Sequence, residues 1–392
     1  MKKVLVGFGT RPEAIKMAPL ILALQKSDEF EPFVVTTGQH LEMLDQVLDV
    51  FGIQVDMRLS LERTSADLAS LNAKLIELSS SVLTEVSPDV VCVQGDTATT
   101  FAMALAAFFH KTKLVHLEAG LRTSNKFSPF PEEINRRLTT VLADLHLAAT
   151  ELAAQNLIRE GVDAQDIVIT GNTVIDALLD VVSRQLPYET TDVPTIVNSG
   201  RSFVLVTMHR RESWGDPMRV VSQAIGELAR RYPDLDFVMP LHPNQVVQDA
   251  MRSGIVGLSN VIVIDPVPYS DFCLLMKASK IILTDSGGIQ EEAPSLGVPV
   301  LVARDTTERP EAIYAGTAKL VGLERSVIVA SVSELLDDDL RYLRVAQIAN
   351  PFGDGRAAVR SVDSLRYLFS LDKKPDNFEA ISTRQYFHTS TH

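Results

Sequence analysis

Cysteine is scarce in this chain, with two residues in 392, Cys92 and Cys273, both in apolar surroundings. That excludes a disulfide framework and a cysteine-built zinc centre. An excess of positive charge is also missing. The net charge is −13, so no broad basic surface is expected and nucleic acid is not an expected partner. Long apolar runs are absent too. The longest charge-free stretch, residues 97–110, has 14 residues, short of the ~20 that span a bilayer, so membrane insertion is not expected. The basic start Met1-Lys2-Lys3 leads into an apolar run that ends by Arg11, too short for a signal peptide. No His-Glu-x-x-His spacing points to a metal, and no Gly-x-Ser-x-Gly elbow to a serine hydrolase. These absences leave a soluble, cytoplasmic protein with no metal and no cofactor as the expectation.

What is present is a regular alternation. Short β-branched runs at 4–8, 33–37, 90–94, 114–117, 145–148 and 167–170 are separated by helix-length amphipathic segments. A second series follows at 203–207, 236–239, 261–264, 281–283 and 298–302. Such alternation predicts an α/β protein of two Rossmann-like domains with parallel, doubly wound sheets. The domains are expected at 1–186 and 203–372, joined by a linker over 187–202, where Pro187, Pro194, Asn198, Ser199 and Gly200 cluster. The last helix is expected to return to the first domain, and 373–392 to be a loosely held polar tail. Two such domains imply a cleft between them. Ligands in open α/β sheets sit beyond the carboxyl ends of the strands, so the residues just after each strand matter most.

The strand 281–283 runs into Thr284-Asp285-Ser286-Gly287-Gly288, and a helix can start at Ile289. Backbone N–H groups at such a start, with the helix dipole behind them, favour an anion. Ser286 can cap the helix and donate to a phosphate, and Glu292 can accept from sugar hydroxyls. An ordinary glycine turn is the alternative. After the first strand, Gly7-Phe8-Gly9-Thr10-Arg11-Pro12 breaks the dinucleotide fingerprint at Pro12, which argues against a nicotinamide dehydrogenase. Arg11 and Lys16 there are either phosphate contacts or solvated cations. Asp96 and Glu118 end two further strands, and Glu132 or Glu133 opens a helix after Ser-Pro-Phe-Pro. Carboxylates converging from separate loops repel one another, which raises at least one pKa toward neutrality and suits acid/base work. His209-Arg210-Arg211 follows a strand of the second domain, and His242 the next; each histidine is either structural or a proton-transfer group.

Seven segments, taken in order, resemble one family. They are Gly-Thr-Arg-Pro-Glu-Ala-Ile-Lys (9–16), His-Leu-Glu-Ala-Gly-Leu-Arg-Thr (116–123), Pro-Glu-Glu-Ile-Asn-Arg (131–136), Gly-Asn-Thr-Val-Ile-Asp-Ala (171–177), His-Arg-Arg-Glu (209–212), Asp-Ser-Gly-Gly-Ile-Gln-Glu-Glu-Ala-Pro (285–294) and Thr-Glu-Arg-Pro-Glu (307–311). Together they resemble the non-hydrolysing UDP-N-acetylglucosamine 2-epimerases, from the first strand to about Leu371. The resemblance implies the glycosyltransferase B architecture, a homodimer, and interconversion of UDP-N-acetylglucosamine and UDP-N-acetylmannosamine through a 2-acetamidoglucal. It places Asp96, Glu118, Glu132 and His209 in catalysis. It places Arg11, Lys16, Phe272, Ser286, Gly287, Gly288, Glu292 and Arg309 on UDP. Gln39, His40, Arg210 and His242 fall where bacterial members bind a second, activating substrate molecule. The chain departs from that pattern at Leu41, at 61–65 and at Ser213, and it carries Val267 where close relatives have a Gln. Another UDP-2-acetamido sugar as substrate, or a UDP-sugar glycosyltransferase on the same fold, are the alternatives.

Overall fold

A computed structural model of the chain describes residues 1–38, 41–61, 67–123, 125–210 and 213–380, with only the backbone of 41–43. It divides into two compact units. The first is Met1–Ala177 with Phe352–Glu379, and the second contains Leu178–Pro351.

The first unit holds a parallel sheet of β1 (Lys2–Phe8), β2 (Phe30–Thr36), β3 (Met57–Arg58), β4 (Val90–Gln94), β5 (Lys113–Ala119), β6 (Leu145–Ala148) and β7 (Ile167–Ile169). Its order is β3-β2-β1-β4-β5-β6-β7. All five residues of β4 are buried, because helices cover both faces of a parallel sheet and leave no polar side. The small residues Ala104, Ala106 and Ala107 of the helix Ala98–Phe109 let it pack close to Val91, Val93 and Leu5. The second unit repeats the plan with β8 (Phe203–Thr207), β9 (Asp236–Pro240), β10 (Val261–Ile264), β11 (Ile281–Thr284), β12 (Val300–Val302) and β13 (Ala318–Leu320). Their order is β10-β9-β8-β11-β12-β13. Val204, Val206, Phe237, Met239, Ile281 and Leu283 centre its core, each contributing roughly 1.5–3 kcal/mol by burial.

In both sheets the winding reverses once, between β1 and β4 and between β8 and β11. The loops after those four strands part there, opening the place where α/β sheets take ligands. These loops carry residues 9–11, 95–97, 208–210 and 285–288.

Two expectations need correction. Residues 187–202 are not an extended linker. They form the short helix Asp192–Val197 in the second unit, with Val193 and Ile196 buried. Glu189 and Thr190 donate their backbone N–H groups to the buried Asp271 carboxylate (3.0 and 2.9 Å), which needs donors once it is out of water. The division falls instead inside the helix Thr173–Ser183. Nor is 373–379 loose. Phe378 is buried against β7 and donates its N–H to the Ile169 carbonyl, while Asn377 Oδ1 accepts from Ile169 N. One apolar side chain and two edge hydrogen bonds outweigh the polar composition around them. The return helix Ala357–Leu368 packs on the helix Arg11–Gln25 of the first unit. Among the described residues no helix is long and apolar enough to cross a membrane.

Candidate active site

Glu13 builds the reversal point of the first sheet. Its buried carboxylate accepts from Gly9 N, Thr10 N and the hydroxyls of Thr10, Thr97 and Thr100, and burial raises its pKa above the usual range. It closes a capping box with Thr10 and ties the loop after β1 to the loop after β4. Arg11 is left exposed at the first turn of that helix.

The charges of Glu118 and Glu132 both bear on Asp96. Burial raises the Asp96 carboxyl above its ordinary value. Arg136 and Lys16 oppose the shift, and Glu118 and Glu132 reinforce it. Asp96 is also bound by the Arg136 guanidinium, and its carbonyl accepts from Asn135 Nδ2 at 2.9 Å. Glu118 sits at a register shift in β5 with φ +58°. A non-glycine residue in that region carries strain and persists where the surroundings fix it. Here they do: Lys16 Nζ (2.5 Å), Asn172 Nδ2 (3.0 Å) and Gln94 Nε2 all donate to its carboxylate. Lys16 thus stands on Glu118 rather than beside Arg11 at the solvent. Glu132 and Glu133 are now distinguished. Glu133 is fully buried and held by Thr123 N, Arg136 and Arg137. The half-buried Glu132 shows no hydrogen-bond partner among the described residues and lies within electrostatic reach of Asp96.

At the reversal point of the second sheet, the buried Asp285 accepts the backbone N–H groups of His209 and Arg210 and lies 3.3 Å from His209 Nδ1. That contact engages Nδ1 of the half-exposed ring and leaves Nε2 as the nitrogen not facing Asp285. Two guanidinium groups crowd the following turn. A methyl group added to Gly287 would meet Arg210 Nη2 at 3.3 Å and Arg309 Cζ at 3.4 Å. Arg210 and Arg304 both bind Glu308, and Arg309 is braced by Glu291 at 2.6 Å. Burial opposes ionisation of Glu308, yet the Arg304 hydrogen bonds and the Arg210 charge hold its carboxyl well below the usual range. Ser286 does not cap the helix Gly287–Glu292 with its side chain, contrary to expectation. Thr284 Oγ1 takes the Ser286 N–H instead, so the Ser286 hydroxyl has no capping role. The Glu292 carboxylate reaches back toward Gly288, 3.6 Å from where a Cβ would sit. It also helps, after burial and Cys273, to raise the Tyr269 hydroxyl pKa. Tyr269 and the half-buried Phe272 share the helix Tyr269–Ala278. The arrangement can hold a diphosphate between Arg210 and Arg309 and offer an oriented imidazole next to it.

Of the residues assigned to regulation, Arg210 reaches from the loop after β8 to the turn at Gly287. His242 is exposed, accepts Asn244 N at 3.1 Å and tilts against Trp214. Gln39, His40 and the 62–66 stretch lie outside the described residues.

A family model described as UDP-N-acetylglucosamine 2-epimerase matches residues 22–366. The chain belongs to that family. It is an isomerase. Bacillus subtilis UDP-N-acetylglucosamine 2-epimerase is 45% identical over 96% of this chain and 98% of its own. The structure of the Neisseria meningitidis UDP-GlcNAc 2-epimerase bound to UDP-GlcNAc shares 46% identity and a TM-score of 0.84 over 93% of this chain and 99% of that one. An S. aureus protein solved with UDP shares 43% identity and a TM-score of 0.86 over 97% and 100%.

Several residues of this candidate site carried no assignment in the sequence. Asp285 and Arg136 were visible only as letters within motifs. Gln94, Asn172 and Glu308 acquire meaning from partners 24, 54 and 98 positions away. Position at or just beyond the end of a strand was the one available signal, and it applies to Gln94, Asp285 and Asn172.

Proposed function

We propose that the protein interconverts UDP-N-acetylglucosamine and UDP-N-acetylmannosamine by eliminating UDP and adding it back. A carboxylate of the first unit takes the C2 proton. The C1–O bond breaks and its electron pair leaves on the β-phosphate of UDP, while the C2–H pair becomes the C1=C2 bond of 2-acetamidoglucal. A second acid group returns a proton to C2 from the other face as the phosphate oxygen re-forms the bond to C1. Electrons end where they began, so the cycle needs no hydride acceptor.

The observation that carries this reading is the buried Asp96 carboxyl, on which the charges of Glu118 and Glu132 both act. Epimerisation needs acid/base groups on both faces of a sugar ring, and a poorly acidic C–H needs a carboxylate held close. Arg210, Arg309 and the Ser286–Gly288 turn suit the departing diphosphate, whose growing charge they offset. His209, oriented by Asp285, suits proton exchange with the leaving group. Arg11, Phe272 and Glu292 complete the UDP contacts in this reading. Homodimeric assembly and a cytoplasmic location are part of the same proposal.

Incubation with UDP-N-acetylglucosamine as sole substrate tests the reading. Accumulation of the 2-epimer supports it. UDP release only when a sugar acceptor is added would replace it with glycosyl transfer.

A further inference from the structure

Asn172 does two things at once. Its Oδ1 accepts Val174 N–H at 3.2 Å, in the first turn of the helix Thr173–Ser183, and its Nδ2 donates to Glu118 Oε1 at 3.0 Å. The two bonds together fix which end of the amide faces the carboxylate. The backbone around it is fixed as well: Asn172 N donates to the Phe352 carbonyl at 2.6 Å. Gln94, the last residue of β4, approaches the same carboxylate from a neighbouring strand and donates to Oε2. Both amides are buried, at 3% exposure each. Buried amides with this much hydrogen-bonding capacity are costly unless their partners are in place. The group they converge on sits at a strained backbone position, φ +58°.

We propose that Gln94 and Asn172 form an amide clamp that fixes the plane of the Glu118 carboxylate for proton transfer at the sugar, making both of them positioning residues of this reaction. The inference rests on the proposed epimerisation. The clamp grips opposite oxygens of Glu118, and an amide can only donate to a carboxylate through its nitrogen, so the pair also favours the anionic, proton-accepting form. Lys16 supplies charge at Oε1 but, as a flexible ammonium, no fixed direction. Direction is what the two planar amides add, and small misplacements of a catalytic group are expensive in rate.

The test uses Asn172→Ser and Gln94→Met in the full chain. Serine keeps an N-cap acceptor for the helix while withdrawing the donor from Glu118, and methionine preserves the length of Gln94 without a donor. Wild-type conversion of UDP-N-acetylglucosamine is measured first; if it fails, the functional reading fails and not the clamp. With wild type active, each variant is expected to lose about 10- to 100-fold in kcat, the value of a hydrogen bond to a charged group. KM and UDP affinity should stay within about twofold. Exchange of the C2 hydrogen with deuterated water should fall in parallel with kcat. Unchanged kcat, a loss confined to KM, or a kcat loss that appears only where the melting temperature has collapsed would each overturn the clamp.

Discussion

The Asp285 carboxylate stands 3.3 Å from Nδ1 of His209, 76 positions earlier in the chain, and holds the backbone N–H of the same residue. The two residues follow β8 and β11, neighbours in the sheet, so the fold rather than the local sequence makes the pair. Asp285→Ala should free the ring to rotate and to change tautomer. We expect kcat to fall about 10²-fold, the usual worth of one acid/base group, with the unit still folded by circular dichroism. Unaltered turnover would remove His209 from proton transfer.

Gly287 is required by its neighbours rather than by its backbone. Gly287→Ala places a methyl group at 3.3–3.4 Å from two guanidinium groups, which must then shift away from the turn. Calorimetry should show UDP affinity reduced by about tenfold, roughly 1.4 kcal/mol, with little change in melting temperature.

The carboxylates should separate chemistry from binding. Asp96→Asn, Glu118→Gln and Glu132→Gln are each expected to lower kcat by ~10²–10⁴ while leaving UDP affinity within a few-fold, because the arginines that suit the diphosphate lie in the other unit. Wild-type turnover in all three would discard the assignment.

Acid stability follows from buried histidines. Burial, and next the Arg122 charge, lower the His146 pKa from 6.5 to about 4. Because the unfolded state binds the proton more readily, this group's contribution is present above pH 6.5 and is lost as pH falls toward 4. The loss reaches about 3 kcal/mol. His146→Leu should therefore show a smaller drop in melting temperature between pH 7 and pH 4 than wild type does. His116, lowered to about 3 chiefly by burial, acts in the same direction.

The sheets were readable because parallel strands are buried on both faces and appear as apolar runs. β3 and β13 were missed because they have two and three residues, with exposed polar positions in each. The linker was misplaced for a related reason. Pro187, Pro194 and Gly200 read as a break, whereas Val193 and Ile196, three apart, carry the packing. Single site residues that follow strands could be named from sequence. Their partners could not, since Asp96–Arg136, Glu118–Asn172 and His209–Asp285 form only once the strand order is known. Residue pattern alone left Glu132 and Glu133 with equal claims; the resemblance favoured Glu132, and burial puts Glu133 into a structural ion-pair cluster.

The fate of the C2 hydrogen and of the C1–O bond tests elimination and re-addition most directly. UDP-N-acetylglucosamine carrying an oxygen isotope in the bridge between C1 and the β-phosphate would be converted in deuterated water, and the product read by mass and phosphorus-31 spectra. Elimination and re-addition predicts deuterium at C2 and scrambling of the bridge label into the non-bridging β-phosphate oxygens. Epimer that keeps its original C2 hydrogen and its bridge label would contradict it.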